Sequence, residues 1–216
     1  MADYTQLTEE DLWARVNVVS GVERINVLAE LGDRAFQVGE FGCALALFEE
    51  ARSAVEEFDD RQWFAEVLYV QGASAFQCGE LTLAVDSYGQ AAQIFVEIGI
   101  QSAAVHALLC QADAHSAVGD LERCLTIARE AGVLAESAND RALAGEAALL
   151  EAHVLQRQGS DQEAVNAYSA SSRHFQKAGC HERAMRVNDL VATLLVQLLG
   201  ELPSATPAVP SASAAS

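Results

Sequence analysis

Proline is almost absent from this sequence. Its three copies, Pro203, Pro207 and Pro210, all lie after residue 202. A proline inside a helix removes a backbone hydrogen bond and clashes with the preceding turn. Because no earlier position carries this helix breaker, long uninterrupted helices are permitted over most of the chain.

Long apolar runs are also missing. Hydrophobic residues make up 51% of the chain, yet no run reaches the ~18 residues that a membrane-spanning helix needs. The first residues carry neither the basic nor the apolar segment of a secretory signal. We therefore expect a cytoplasmic protein that does not insert into a membrane.

Recognisable catalytic and cofactor motifs are missing as well. The glycines recur singly instead of clustering in a phosphate-binding loop, and no Ser, Cys or Thr stands in a nucleophile motif. The five cysteines, at positions 43, 78, 110, 124 and 180, are odd in number and widely spaced. This pattern predicts reduced thiols in the core rather than disulfides or a zinc site. We expect no cofactor, no metal and no enzymatic activity.

Basic side chains are scarce, so the formal net charge is −18. The charge is uneven: residues 1–140 hold 24 acidic and 7 basic side chains, whereas residues 141–200 hold 6 of each. A surface this negative repels phosphate backbones and anionic lipids, which disfavours direct nucleic-acid or membrane binding. It favours a basic or amphipathic protein or peptide partner. The alternative is that the acidic residues serve only solubility.

What the sequence does contain is a repeat of 40 residues. Gly39, Gly79, Gly119 and Gly159 mark it, each at a place where a helix is expected to stop and turn. Small residues recur seven positions before these glycines, and mostly aromatic residues nine positions after them. A small residue lets two helices approach closely, and an aromatic ring fills the space beside it. The positions before are Gly32, Gly72, Ala112 and Ala152, and the positions after are Phe48, Tyr88, Ala128 and Tyr168.

This pattern resembles the tetratricopeptide repeat (TPR) family over about residues 22–200. The resemblance implies an all-α fold, a right-handed α-α superhelix of four helix-turn-helix repeats with an N-terminal helix and a C-terminal capping helix. The chain departs from the family in its period, which is usually ~34 residues. It also lacks the proline that often ends the second helix, helix B, and its third aromatic is replaced by Ala128. HEAT and armadillo repeats have periods near ~40 residues, but HEAT helices commonly carry a proline, which this chain lacks before Pro203.

The expected organisation follows the 40-residue frame. Residues 1–20 form a helical lead, with Thr8 and Asp11 as a capping box. The repeat domain covers 21–200, as repeats 21–60, 61–100, 101–140 and 141–180 and a closing helix 181–200. Asp60, Ser102 and Asp140 are the expected caps of later helices. Residues 201–216 are rich in Ala, Ser and Pro and are expected to be a disordered tail.

The resemblance also implies where a partner binds. Solenoids of helix pairs present a concave surface lined by the first helix of each pair, helix A. TPR domains that hold the carboxylate end of heat-shock chaperones use basic residues there, whereas this chain has Asp33 and Glu66, and an acidic lining repels such an end. Carrying over the family's groove positions implies a lining of Asn26, Asp33, Phe36, Glu66, Tyr69, Phe76, His106, Asp113, Glu146, His153 and Arg157.

Two other features bear on function. The residues Glu66, His106, Asp113, Glu146 and His153 are expected on one face, and they are the basis of an alternative as an enzyme or a metal protein. The closing helix is apolar on more than one side, unlike a usual terminal helix. This excess indicates an oligomer contact, a partner contact or cover by the tail. Of these alternatives, the oligomer would be a homodimer through the C-terminal helix. The residues expected to make it are Leu190, Leu194, Leu195 and Leu198.

The sequence thus predicts a non-catalytic protein-protein interaction module: an adaptor, an assembly subunit or an escort for a client protein. It is expected to bind a basic or amphipathic peptide segment in an acidic groove that contains aromatic residues. The alternative within binding proteins is a regulatory TPR protein that senses a peptide.

Overall fold

The computed structural model describes residues 4–55 and 60–201, and within these ranges it contains ten α-helices and no strand. The predicted tail after Glu201, and Phe58 and Asp59 of the first linker between repeats, lie outside the described residues. The helices are α1 (Glu9–Val16), α2 (Gly21–Gln37), α3 (Phe41–Val55), α4 (Arg61–Cys78), α5 (Leu81–Glu97), α6 (Gln101–Val118), α7 (Leu121–Ser137), α8 (Arg141–Arg157), α9 (Asp161–Lys177) and α10 (His181–Glu201).

Each helix from α2 to α9 packs against the helices before and after it in the chain, and α10 packs against α9. The pairs α2/α3, α4/α5, α6/α7 and α8/α9 form the four repeats, and α10 closes the array. The fold is therefore the TPR-like solenoid that the repeat pattern predicts. No helix in the described part of the chain is both long and apolar enough to cross a membrane.

The short helix α1 covers the first repeat. Its capping box is present: Thr8 Oγ1 accepts from the Asp11 backbone N–H at 3.2 Å, and the Asp11 carboxylate accepts from the Thr8 N–H at 3.2 Å. Leu12 is fully buried in the cluster formed with α2 and α3. Arg34 ties the preceding segment down by donating to the carbonyl oxygens of Leu7 and Tyr4. The predicted helical lead is thus confirmed in this stretch.

The four marker glycines end helices in the left-handed region, with φ of 86°, 81°, 92° and 77°. After α4, the N–H of Gly79 donates to Phe76 O and that of Glu80 to Ala75 O, at 3.1 and 2.9 Å. These are the bonds that close a Schellman-type turn. The same bonds recur between repeats, where Gly99, Asn139 and Gly179 take positive φ. From Gly79 to Gly179 the turn therefore recurs every 20 residues, twice as often as the sequence pattern indicates.

Close helix packing occurs at the predicted small residues. A Cβ added to Gly32 would lie 2.7 Å from the Phe48 ring, and one added to Gly72 would lie 2.9 Å from the Tyr88 ring. The sequence pattern did not single out Gly145, which holds the Phe175 ring in the same way at 2.8 Å. Since real Cβ atoms do not approach rings this closely, the pairing of glycine with an aromatic ring holds α2 to α3, α4 to α5 and α8 to α9.

Two local predictions differ from the structure. Asp60 and Asp140 do cap α4 and α8, but α6 begins at Gln101 after Ile100, so Ser102 is not a cap. The turn at Gly99 fixes this earlier start. The prediction of core thiols is right for buried Cys124 and wrong for Cys43 and Cys78, which are exposed. Each of these two lies in the first or last turn of its helix, beside a surface turn.

Replacing Gly119 with alanine is expected to lower the free energy of unfolding by about 1–2 kcal/mol. An added Cβ would meet nothing within 4 Å, so the loss would come from the φ of +92° alone. Gly119→Asn is the matched control and should lose less, because asparagine tolerates this region and native Asn139 adopts it. Urea unfolding of the three proteins measures the difference. Equal stability of wild type and Gly119→Ala would contradict this account.

Candidate functional site

The first helices of the repeats form the inner side of the array. Within the described residues, α4 contacts α6 and α6 contacts α8, whereas α5, α7 and α9 make no comparable contacts with one another. The first helices therefore lie closer together, and the array curves towards them. We call the surface formed by α2, α4, α6, α8 and α10 the groove.

The structure leaves all eleven predicted lining residues at the surface of the groove helices. Six are exposed and the other five are half-buried, so each retains surface for a partner. The exposed residues are Asp33, Glu66, His106, Asp113, His153 and Arg157, and the half-buried ones are Asn26, Phe36, Tyr69, Phe76 and Glu146.

A first cavity of about 380 Å³ lies between α4 and α6. Its walls are largely apolar, and Glu66 and His106 are its polar members. Glu66 accepts a hydrogen bond from Gln62 at 2.9 Å, so its carboxylate is held near the cavity. An apolar wall with a carboxylate suits a side chain with an aliphatic stem and a cationic end. The cavity is lined by Glu66, Tyr69, Val70, Phe95, Ala103 and His106.

A second cavity of about 430 Å³ lies further along the same two helices and reaches α8. Tyr69, which lines the first cavity, packs edge-to-face on Tyr88 of the second at 5.5 Å between ring centroids. The Tyr69 hydroxyl lies 3.5 Å from Cys110 Sγ. The aromatic rings therefore form a continuous wall between the two cavities. The second is lined by Phe76, Tyr88, Cys110, Asp113, Ser116, Ala117 and Arg157.

The ionisable groups of this wall are neutral. Burial raises the pKa of Tyr69 and of Tyr88 well above the usual range, and nearby Cys110 raises them further. Burial also raises the pKa of the Cys110 thiol. Because the thiolate is the reactive form, Cys110 has the properties of a packing residue and not of a nucleophile.

Asp113 is one of the carboxylates of the groove that lack an ion pair within the described residues. Although the residue is exposed, partial burial of its carboxylate raises its pKa, and the nearby Glu146 charge raises it further. Glu146 is paired with Arg183, whereas no cation pairs with Asp113 in the part of the chain that the structure describes. The two acids share a smaller cavity of about 180 Å³ with His153, whose pKa burial lowers. The Asp113 carboxylate is thus available to pair with a cation of a ligand.

The far end of the groove carries arginine side chains. Arg157 donates to the Ser116 hydroxyl, and Arg183 stacks over the Phe175 ring at 4.4 Å. Arg186 is largely exposed at a cavity of about 260 Å³ between α8 and α10. The groove is therefore acidic around α2, α4 and α6 and less acidic towards α10.

The acidic and histidine residues predicted to share one face lie at two separate cavities in the structure. Glu66 and His106 line the first cavity, whereas Asp113, Glu146 and His153 line the small one. Among the described residues, no group of three or more His, Cys, Asp or Glu side chains is placed to hold a metal ion.

Two residues of a second helix also wall the groove, although the predicted lining contains only residues of the first helices. Tyr88 and Phe95 come from α5 and wall the two larger cavities. Tyr88 was visible as the repeated aromatic nine positions after Gly79. The sequence pattern predicts only that this ring packs against Gly72. In the structure the Tyr88 ring does so and also walls the second cavity.

Only two of the four residues predicted to make an oligomer contact on the closing helix are exposed. Leu194 is 3% exposed and packs inside its own chain, whereas Leu190 and Leu195 are 42% and 39% exposed. Leu198 is half-buried against the same cluster. The sequence pattern could not tell these sides apart because leucines occupy both.

No family model matches the sequence, and no curated protein is detectably similar to it. Solved structures are similar in fold. The apo form of RapI superposes with a TM-score of 0.81 at 13% identity, over 91% of this chain and 56% of that chain. A signal transduction ATPase from Pyrococcus horikoshii with a tetratricopeptide repeat sensor has a TM-score of 0.71 at 15% identity, over 82% and 28%.

A third similar structure is the Rap conjugation gene regulator of plasmid pLS20 in complex with the Phr* peptide. It has a TM-score of 0.57 at 16% identity, over 92% of this chain and 59% of that one. The chain thus spans little more than half the length of the two Rap proteins. At these identities the similarity shows the fold, a TPR-like solenoid, and not the activity.

Proposed function

We propose that this chain is a non-catalytic module that binds a basic or amphipathic peptide segment in its groove. The observation that carries the proposal is the pair of adjoining cavities between α4 and α6, walled by aromatic rings and edged by Glu66 and Asp113. Concave, mostly apolar sites with a few polar groups are typical of ligand binding.

The negative charge of the groove favours a positively charged ligand. Asp113 lacks a cationic partner, and burial also raises the pKa of Asp33, with Glu30 adding to the effect. A ligand cation would relieve both carboxylates, whereas a ligand carboxylate would be repelled. The excess of acidic residues over the first 140 positions would also steer basic ligands towards this side.

The spacing of the cavities sets the spacing of the anchors. Tyr69 and Phe76 are seven residues apart on α4, or about 10 Å along the helix axis. An extended peptide covers ~10 Å with about three residues. We therefore propose a ligand with two apolar or aliphatic-stemmed side chains three to four residues apart. Its basic end would lie towards α2, and its other end towards the arginines near α10.

One comparison favours a regulatory form of this function. The Rap regulator of pLS20 binds the Phr* peptide, which shows that a solenoid of similar fold can hold a peptide. In a sensor of this kind, the peptide would bind one curvature of the array better than another and so shift its shape.

The test is selection from a synthetic library of short peptides, followed by fluorescence anisotropy of the best binders. We expect enrichment of Arg or Lys together with Leu, Phe or Tyr, and an affinity that falls as salt rises. Selection of acidic peptides would contradict the proposal. Metal analysis of the purified protein addresses the competing class: stoichiometric zinc or iron would favour a metal protein that uses Glu66, His106, Asp113, Glu146 and His153.

Peptide binding is expected to weaken as the pH falls from neutral through the raised pKa of Asp113, because protonation removes the charge that attracts the ligand. The same protonation should stabilise the fold, since a raised folded-state pKa means that the folded protein binds the proton more tightly. Affinity and the contribution of Asp113 to stability should therefore change in opposite directions.

Asp113→Asn is the control for this pH effect. It should bind the peptide several-fold more weakly at neutral pH and lose most of the pH dependence below it. Glu122→Gln, an exposed carboxylate on the second helix α7, should change neither property. Anisotropy at a series of pH values measures this, and an unchanged pH profile in Asp113→Asn would exclude Asp113 as the responsible group.

A further inference from the structure

The closing helix α10 has an apolar side that nothing in the described structure covers. Met185, Leu195, Val196 and Leu199 are exposed by 68%, 39%, 70% and 66%, and Ala192 lies among them. The opposite side of α10, which includes Val187 and Leu194, is buried against α9. We call the exposed set, with Ala192 at its centre, the open face.

In the preceding repeat, the equivalent face of α8 is covered by the second helix, α9. The residues 40 positions before Met185, Ala192 and Leu195 are Gly145, Ala152 and Leu155, and all three are buried. Gly145 contacts the Phe175 ring of α9, and its carbonyl accepts from Ser171 at 2.7 Å. Met185, Ala192 and Leu195 thus lie on the surface that the second helices cover in the four repeats. The positions equivalent to Val196 and Leu199, which are Gln156 and Gly159, are exposed in the preceding repeat. No further helix follows α10 in the part of the chain that the structure describes.

The spacing of the open face suits another helix. Met185, Ala192 and Leu199 are seven residues apart, and Leu195 lies three after Ala192, as in the a and d positions of a helical seam. Asn188 occupies the remaining position of this seam.

The charge distribution favours a second copy of this chain as that helix. Residues 1–140 carry nearly all of the net charge of −18, whereas residues 141–200 carry equal numbers of acids and bases. Two copies therefore repel each other least through their C-terminal ends. A strongly basic partner would instead be drawn to the acidic end of the molecule.

We propose that two copies associate through their open faces, with the two α10 helices packed antiparallel and crossing at Ala192. The small side chain at the crossing lets the helices approach closely. In this arrangement Met185 of one copy lies opposite Leu199 of the other, and Asn188 lies opposite Val196. None of the open-face residues lines the cavities of the groove, so the test of this dimer is independent of peptide binding.

Analytical ultracentrifugation of the full chain tests the association. At about 1–100 µM we expect a species of twice the chain mass of 23.0 kDa. Val196→Glu should raise the dissociation constant by roughly 100-fold, because each dimer contains the substitution twice. Val133→Glu is the matched control, since Val133 is 71% exposed on α7 and Val196 70% exposed on α10. Circular dichroism should show the same helix content in all three proteins.

A wild-type protein that stays monomeric over this range would overturn the proposal, and so would a dimer that Val196→Glu and Val133→Glu weaken equally. Disulfide trapping tests the orientation. Ala192→Cys should cross-link above the wild-type background, whereas Leu199→Cys should not, because antiparallel helices separate position 199 from its copy by about 20 Å. Equal cross-linking at both positions would overturn the antiparallel arrangement.

Discussion

The double variant Tyr69→Ala and Phe76→Ala is expected to weaken binding of a library-selected peptide by roughly 30- to 700-fold. Tyr69 walls the first cavity and Phe76 the second, so the variant removes an aromatic surface from both. Each ring retains exposed surface in the unbound protein, and burying that surface against a ligand side chain is worth about 1–2 kcal/mol per residue. The loss should be largest for peptides with apolar anchors at both positions.

The variant also removes packing inside the protein, because Tyr69 contacts Tyr88 and Phe76 lies in the same apolar cluster. A matched control therefore has to lose stability without touching the groove. Ile94→Ala with Leu134→Ala does so, since both residues are half-buried on the second helices and line neither of the two larger cavities. Anisotropy gives the affinities, and urea unfolding gives the stabilities. A similar loss of affinity in both double variants would show that general destabilisation, not the groove, explains the effect.

How much of the fold can be predicted from the sequence depends on how few residue types each structural position accepts. A helix end in the left-handed region strongly favours glycine, so Gly39, Gly79, Gly119 and Gly159 revealed both the repeat and the turns. The equivalent turn between repeats was missed because asparagine also tolerates this region, and Asn139 interrupts the series of glycines. Because asparagine stands at this one position, the sequence pattern does not show that the turn also occurs between repeats.

The candidate site was predictable only in part. The positions of the first helices follow from the helical repeat, and all eleven predicted residues lie on these helices with exposed or half-buried side chains. The cavities depend in addition on Tyr88 and Phe95 of α5. Their placement depends on how far α5 tilts between α4 and α6, which one sequence does not specify. On α10, likewise, the excess of leucine was evident, but only packing distinguishes buried Leu194 from exposed Leu195.

Replacing Phe48 with alanine is expected to lower the free energy of unfolding by about 3–5 kcal/mol. Phe48 is 1% exposed and its ring fills the space above Gly32, so the variant leaves a void where α2 and α3 meet. Because α2 is also covered by α1, the loss should release the N-terminal part of the array first. Urea unfolding measures the stability, and hydrogen exchange shows where protection is lost.

The complementary change at Gly32 distinguishes close packing from helix propensity. Alanine normally stabilises a helix relative to glycine by about 0.5–1 kcal/mol, and Gly132→Ala should show this gain because its Cβ would lie 3.6 Å from Ala147. Gly32→Ala should instead destabilise by about 1–2 kcal/mol, since overpacking a full core costs more than propensity returns. In the Gly32→Ala, Phe48→Ala double variant the added methyl would enter the void, so the two losses should not add. Strictly additive losses would mean that this contact does not hold α2 to α3.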